Sequence, residues 1–175
     1  MKLQITAALI LSAVAAVKAQ EPTEKSSMAD CPMTTKDSGA AMNARGDKAM
    51  GFSQDKTTHH FTLMEDGGSI EVLVNDPKDA ATREQIRGHL SHIAQMFEHG
   101  NFQIPMLVHG KMPDGAAVMQ ERKTKITYAY EETNSGGRVR IRTSDPEALE
   151  GVHEFLRFQI GEHRTGDATE VKGKS

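Results

Sequence analysis

Residues 57–77 read TTHHFTLMEDGGSIEVLVNDP, and this stretch decides the fold. Apolar and polar side chains alternate on both sides of Glu65, Asp66, Gly67 and Gly68, which predicts strands at 57–63 and 69–74 joined by a tight turn. Asp76-Pro77 stops the second strand, and a helix is expected from about Asp79 to His99. The same phrase returns later in the chain: GGSIEVLVNDP at 67–77 can be laid over GGRVRIRTSDP at 136–146. With a five-residue gap in the second copy the following helices align too, His89 falling on His153 and His99 on His163. A self-match of this length points to duplication.

The second copy predicts strands at 123–130 and 138–143 around Asn134, Ser135, Gly136 and Gly137. Ser144 or Asp145 can cap a helix that Pro146 opens and that runs to about Glu162. Leu149, Val152, Phe155, Leu156 and Ile160 supply its apolar face. The expected fold is therefore α+β: a duplicated β-β-α unit forming a four-stranded, mainly antiparallel sheet with both helices on one face. Ile70, Val72, Val74, Ile126, Tyr128, Tyr130, Val139 and Ile141 should face the helices. Glu71, Lys125, Arg138, Arg140 and Arg142 should face solvent. Strand order is not readable, and a homodimer that extends or covers the sheet fits the same pattern.

The first helix carries two stripes. Ile86, Leu90, Ile93 and Phe97 recur at helical spacing and form a core face. His89, His92, Met96 and His99 recur beside them, with their centre about 110° away at roughly 100° per residue. Neighbouring turns bring imidazoles within about 5–6 Å at Cβ, so two can share an ion. His109, Met106 or Met112 in the following loop could complete a trigonal or tetrahedral site. Imidazole and thioether without nearby thiolate favour copper over structural zinc, with zinc as the alternative metal. The expected metal ligands are His89, His92, Met96, His99 and His109.

Other histidines read as structural. His59 and His60 point to opposite faces of a strand, His59 towards the core; it would approach His89 if the first hairpin packs over the first helix. His153 and His163 flank the second helix, where Leu156 and Ile160 replace the expected ligands. The Arg138, Arg140 and Arg142 row reads as a solvated face.

The N-terminal end looks like a leader. Lys2 precedes a mostly apolar run at 3–17, and Val17-Lys18-Ala19 fits a small-residue cleavage pattern. The organisation expected is a signal peptide at 1–19, a flexible Met/Cys linker at 20–52, the duplicated domain at 53–167 and a disordered tail at 168–175. Subtracting the 19 leader residues from 175 leaves 156, which suits one domain. Loss of Lys2 and Lys18 moves the formal charge from −3 to −5, against nucleic-acid binding. No later run is long enough to span a bilayer, so an exported chain, periplasmic or secreted and without membrane insertion after cleavage, is expected. Cys31 is the only cysteine, so no internal disulfide can form. Met28, Met33, Met42 and Met50 surround it in sequence as soft donors for Cu(I). Cys31-Pro32-Met33 begins a Cys-Pro-Met-His pattern, but Thr34 takes the place of the histidine.

Met50-Gly51-Phe52, then Thr57-Thr58-His59-His60-Phe61, then His163-Arg164-Thr165-Gly166-Asp167 resemble a pattern in a family of secreted bacterial proteins. That resemblance implies export and a shared compact fold, and no activity. There is no nucleophile elbow, phosphate loop, HExxH or CxxCH, and nothing compels an enzyme. Glu84 and Glu98 are the nearest carboxylates for a metal-dependent one. The expected function is a soluble metal-binding protein, with copper carried as a chaperone, buffer or sensor would carry it. The alternative is a non-catalytic interaction or dimerisation module with structural histidines.

Overall fold

A computed structural model describes residues 35–173. The leader at 1–19 and the linker as far as residue 34, with Met28, Cys31 and Met33, lie outside the described residues. The order is α1 (Thr35–Met50), β1 (Thr57–Met64), β2 (Gly67–Val74), α2 (Ala80–Glu98), α3 (Gln103–His109), α4 (Ala116–Glu121), β3 (Ile126–Thr133), β4 (Gly136–Thr143) and α5 (Pro146–His163). Single 3-10 turns precede β1 and β3. The fold is α+β, with one antiparallel four-stranded sheet in the order β1-β2-β4-β3.

Local chemistry sets the element ends. Met64 pairs with Gly67 and Thr133 with Gly136, so each hairpin turns through two residues, Glu65-Asp66 and Asn134-Ser135. The Gly-Gly pairs expected in the turns open β2 and β4 instead. The Asp79 carboxylate accepts from Thr82 N at 3.0 Å and so caps α2. Asp145, not Ser144, caps α5 through Ala148 N at 2.9 Å, with Pro146 in its first turn. β3 begins at Ile126, three residues later than expected, because residues 123–125 form a 3-10 turn; Lys125 thus precedes the sheet.

All eight residues expected to face the helices lie in the core or pack against it. α2 packs on β3 and β4, and α5 on β1 and β2. Phe97 joins the elements, its ring centroid 4.5 Å from Phe102, 5.7 Å from Phe155 and 5.8 Å from Tyr128. Stability therefore rests on apolar burial shared by both hairpins and both long helices. Gly88 interrupts the exposed side of α2, and a methyl there would meet nothing within 4 Å. Gly88→Ala is expected to stabilise the domain by about 1 kcal/mol, read as a raised urea midpoint with an unchanged slope.

Three further expectations change. Residues 35–50, expected as linker, form α1. The helix is held from outside itself: Met42 is buried, and Arg45 Nε donates to Val108 O at 3.0 Å at the end of α3. The Asp47 carboxylate accepts from Gln54 N at 2.8 Å. Arg140, expected in solvent, is buried; it donates to Gly68 O at 2.8 Å and pairs with Asp66 on the first hairpin turn. Gly68 is needed for a different contact: a methyl there would stand 2.2 Å from the Leu156 side chain of α5 and 2.5 Å from Thr62 O. The described part of the tail is also placed. Asp167 accepts from Phe61 N at 2.9 Å, and Lys172 N donates to Leu63 O at 3.0 Å, so the tail runs along the β1 edge.

Candidate functional site

Four histidines from four elements line one chamber: His59 of β1, His89 of α2, His109 at the end of α3 and His163 at the end of α5. The rest of its wall is mainly apolar, including Phe61, Leu90, Phe97 and Val108, with the Met50 thioether and the Gln159 amide among the lining groups. Its volume is about 70 Å³. That is well below the roughly 300 Å³ at which pockets begin to hold drug-sized ligands, and it is compatible with an ion. A second, polar cavity with Asn43, Asp55 and Thr165 in its wall shares His59 and His163 with the chamber. The two rings therefore stand between a polar vestibule and an apolar interior.

Strand and helix periods explain the convergence. His59 and Phe61 are two apart on β1 and share a face. On α5, Phe155, Gln159 and His163 are four apart and lie on one side. His59 and His163 stack with centroids 5.3 Å apart and planes 13° apart. His109 stands edge-on to His163 at 5.1 Å. His89 meets Phe52 edge-on at 5.6 Å.

Burial keeps these rings neutral. Desolvation lowers His59 to about 4, with a smaller push from His60. Desolvation also lowers His89 to about 4, helped by His59 and His92. His163 falls to about 3, from burial first and then from His59 and His109. His109 is lowered by burial, against the opposing pull of Gln159 and Glu162. A neutral imidazole is the form that binds a metal. His109 Nε2 lies 3.0 Å from Gln159 Oε1. When Nε2 carries the proton and donates it there, Nδ1 keeps its lone pair. That Nδ1 is buried without a hydrogen bond, and Glu162 Oε2 is 3.8 Å away.

The expected ligand stripe divides. His89 and His109 line the chamber. His92 and His99 are exposed, and His99 Nδ1 is 2.7 Å from Gln95 O in its own helix. Met96 packs against the core, while Met106 and Met112 are exposed. The stripe is wide enough for its near edge to face α3 and its far edge to face water. His153 is structural, its Nε2 lying 2.9 Å from Met64 O and 3.1 Å from Gly67 O at the first hairpin turn.

Sequence reasoning placed His59 near His89 only conditionally and set His163 aside because Leu156 and Ile160 stand in the second copy where His92 and Met96 stand in the first. The available signal was the Phe155, Gln159, His163 stripe, masked by the stronger apolar stripe beside it. Among the described residues, no three of His, Cys, Asp and Glu are already arranged to hold a metal ion. No family model, curated protein or solved structure matches the chain.

Proposed function

We infer that this chain is an exported, soluble metal-binding protein whose cargo is copper, held in the four-histidine chamber as a chaperone, buffer or sensor would hold it. The observation that carries the reading is four neutral imidazoles around one ion-sized cavity, with a thioether in its wall. Neutral nitrogen and thioether donors in an apolar setting suit Cu(I) better than a hard cation, and zinc is the competitor for the imidazoles. Binding requires the stacked His59 and His163 rings to turn so that their lone pairs converge. The linker with Met28, Cys31 and Met33 would serve as a weaker capture segment. Export is supported by the leader-like residues 1–19.

The same reading takes the domain as one β-β-α unit used twice, with both long helices on one face of the sheet. Support comes from the repeated order β1-β2-α2 and β3-β4-α5, from the paired aspartate caps Asp79 and Asp145, and from the contact of Phe97 with Phe155.

The test is anaerobic titration of the exported chain with Cu(I), and separately with zinc, against a competing chelator. A Cys31→Ser background removes the thiolate. One Cu(I) per chain is expected, weakened at least tenfold in His59→Ala/His163→Ala and retained in His92→Ala/His99→Ala. The reverse pattern would return the site to the helix stripe. No binding by the parent chain would end the metal reading.

A further inference from the structure

The sheet has two edges, and they are treated differently. The β1 edge is occupied by the tail through Asp167 and Lys172. The β3 edge has no backbone partner beyond β4 among the described residues. Eight residues long and without proline, it presents an open row of donors and acceptors.

The direction of that row follows from the ladder. Thr143 N–H leaves β4 on the β2 side, for Asp66 O. Alternation then directs Ile141, Val139 and Gly137 of β4 towards β2. Their neighbours on β3, namely Tyr128, Tyr130 and Glu132, together with Ile126 opposite Thr143, turn N–H and C=O outward.

Charge selects what the row can pair with. Lys123 and Lys125 lie in the 3-10 turn that leads into β3, and Glu131 and Glu132 near the strand's end. A second copy running antiparallel sets basic start against acidic end, twice. Opposed residues must share a face. A two-fold axis at Tyr128 satisfies this, placing Tyr128 opposite Tyr128, Ile126 opposite Tyr130 and Lys125 opposite Glu131. Lys125, one residue before the strand, then meets Glu131 at each end of the new ladder, opposite charge to opposite charge.

We propose that two copies of this chain pair antiparallel through β3 about that axis, joining their sheets into one. The pairing needs no metal and is independent of the histidine chamber. It buries mainly strand edges, so the dimer is weak and concentration-dependent.

Sedimentation equilibrium of the exported chain, in excess chelator and from micromolar to millimolar concentration, tests it. A monomer–dimer equilibrium is expected. Lys125→Glu and Glu131→Lys should each weaken it about tenfold or more, because each sets like charges opposite each other twice. Mixing the two variants should restore the dimer as a heterodimer, since both contacts are then complementary. Hydrogen exchange should slow with concentration at the Ile126, Tyr128 and Tyr130 amides. A monomer throughout the range overturns the proposal. So does a dimer indifferent to both variants, or one that mixing fails to restore.

Discussion

Acidification from pH 7 to 4.5 is expected to destabilise the domain by about 5 kcal/mol. His59 and His89 titrate at about 4 and His163 at about 3 when folded, against about 6.5 in an open chain. Over that window the unfolded chain binds more protons than the folded one, so every step down in pH favours unfolding. The stability in question is fully present above pH 6.5 and is lost as pH falls towards 4 and 3. At about 1.4 kcal/mol per unit, His59 and His89 each account for roughly 3 kcal/mol across their windows and His163 for roughly 5, of which about 3 falls above pH 4.5. The rings lie against one another and do not add independently, so about 5 kcal/mol is expected by pH 4.5. That rivals the whole stability of many domains. Asp66, Asp79, Asp145 and Asp167, all with lowered pKa, add stability that is present above the usual carboxylate range and is lost only as pH falls through and below it. Urea midpoints at pH 7, 6, 5 and 4.5, with chelator present, measure the loss. His163→Leu removes one titrating ring and should flatten the slope. A midpoint unchanged between pH 7 and 5 would show that the rings are hydrated and the chamber is open.

Bound copper would oppose this loss, because protons and metal compete for the same lone pairs. With Cu(I) present the acid midpoint should move to lower pH, and release on acidification would give a sensor or carrier its unloading step.

How much of this was legible follows from the range of the interactions involved. The hairpins, a cap at Ser144 or Asp145 and the inward residues of the strands are local, and period and turn chemistry report them directly; that the turns close over two residues, with Gly67 and Gly136 already paired, and that Asp79 caps α2 emerge only from the ladder and the cap geometry. The order β1-β2-β4-β3 is not local, since either hairpin can present either edge. α1 is polar along most of its length, and its stability comes from Met42 and from Arg45 reaching the carbonyls that end α3. Nothing within 35–50 announces that dock. Arg140 is buried by a turn carboxylate 74 residues away. The histidine chamber was half legible. His89 and His109 follow from neighbouring elements, whereas His59 and His163 arrive through packing of β1 and α5. Helical spacing along α2 points to the exposed His92 and His99 as readily as to His89.

Gly115→Ala is expected to cost about 3 kcal/mol or more and to lower Tm by roughly 10 °C. Gly115 precedes α4 with φ at 74°, a region that L side chains enter at a cost. Its added methyl would stand 2.0 Å from Gly151 O and 2.8 Å from Phe155 N. Both are backbone atoms of α5, so no rotamer change can make room. Gly151 faces back across the same crossing, where a methyl would meet Val118 Cβ at 2.9 Å. Two glycines thus let α4 lie directly on α5, and that approach seals Ala116 and Met119 completely from solvent. Alanine at 115 would lift α4 and open the core beside Phe155, whose ring contacts Phe97 and Phe102. Gly151→Ala should cost less, because a side chain rather than backbone must yield. Gly88→Ala, on an open helix face, should have the opposite sign. Thermal unfolding of the three variants separates a packing requirement from helix propensity, because propensity alone would make alanine at 151 as favourable as alanine at 88. Equal stabilisation at both helical positions would mean that α4 does not rest on α5, and the seal over Ala116 and Met119 would have to come from elsewhere.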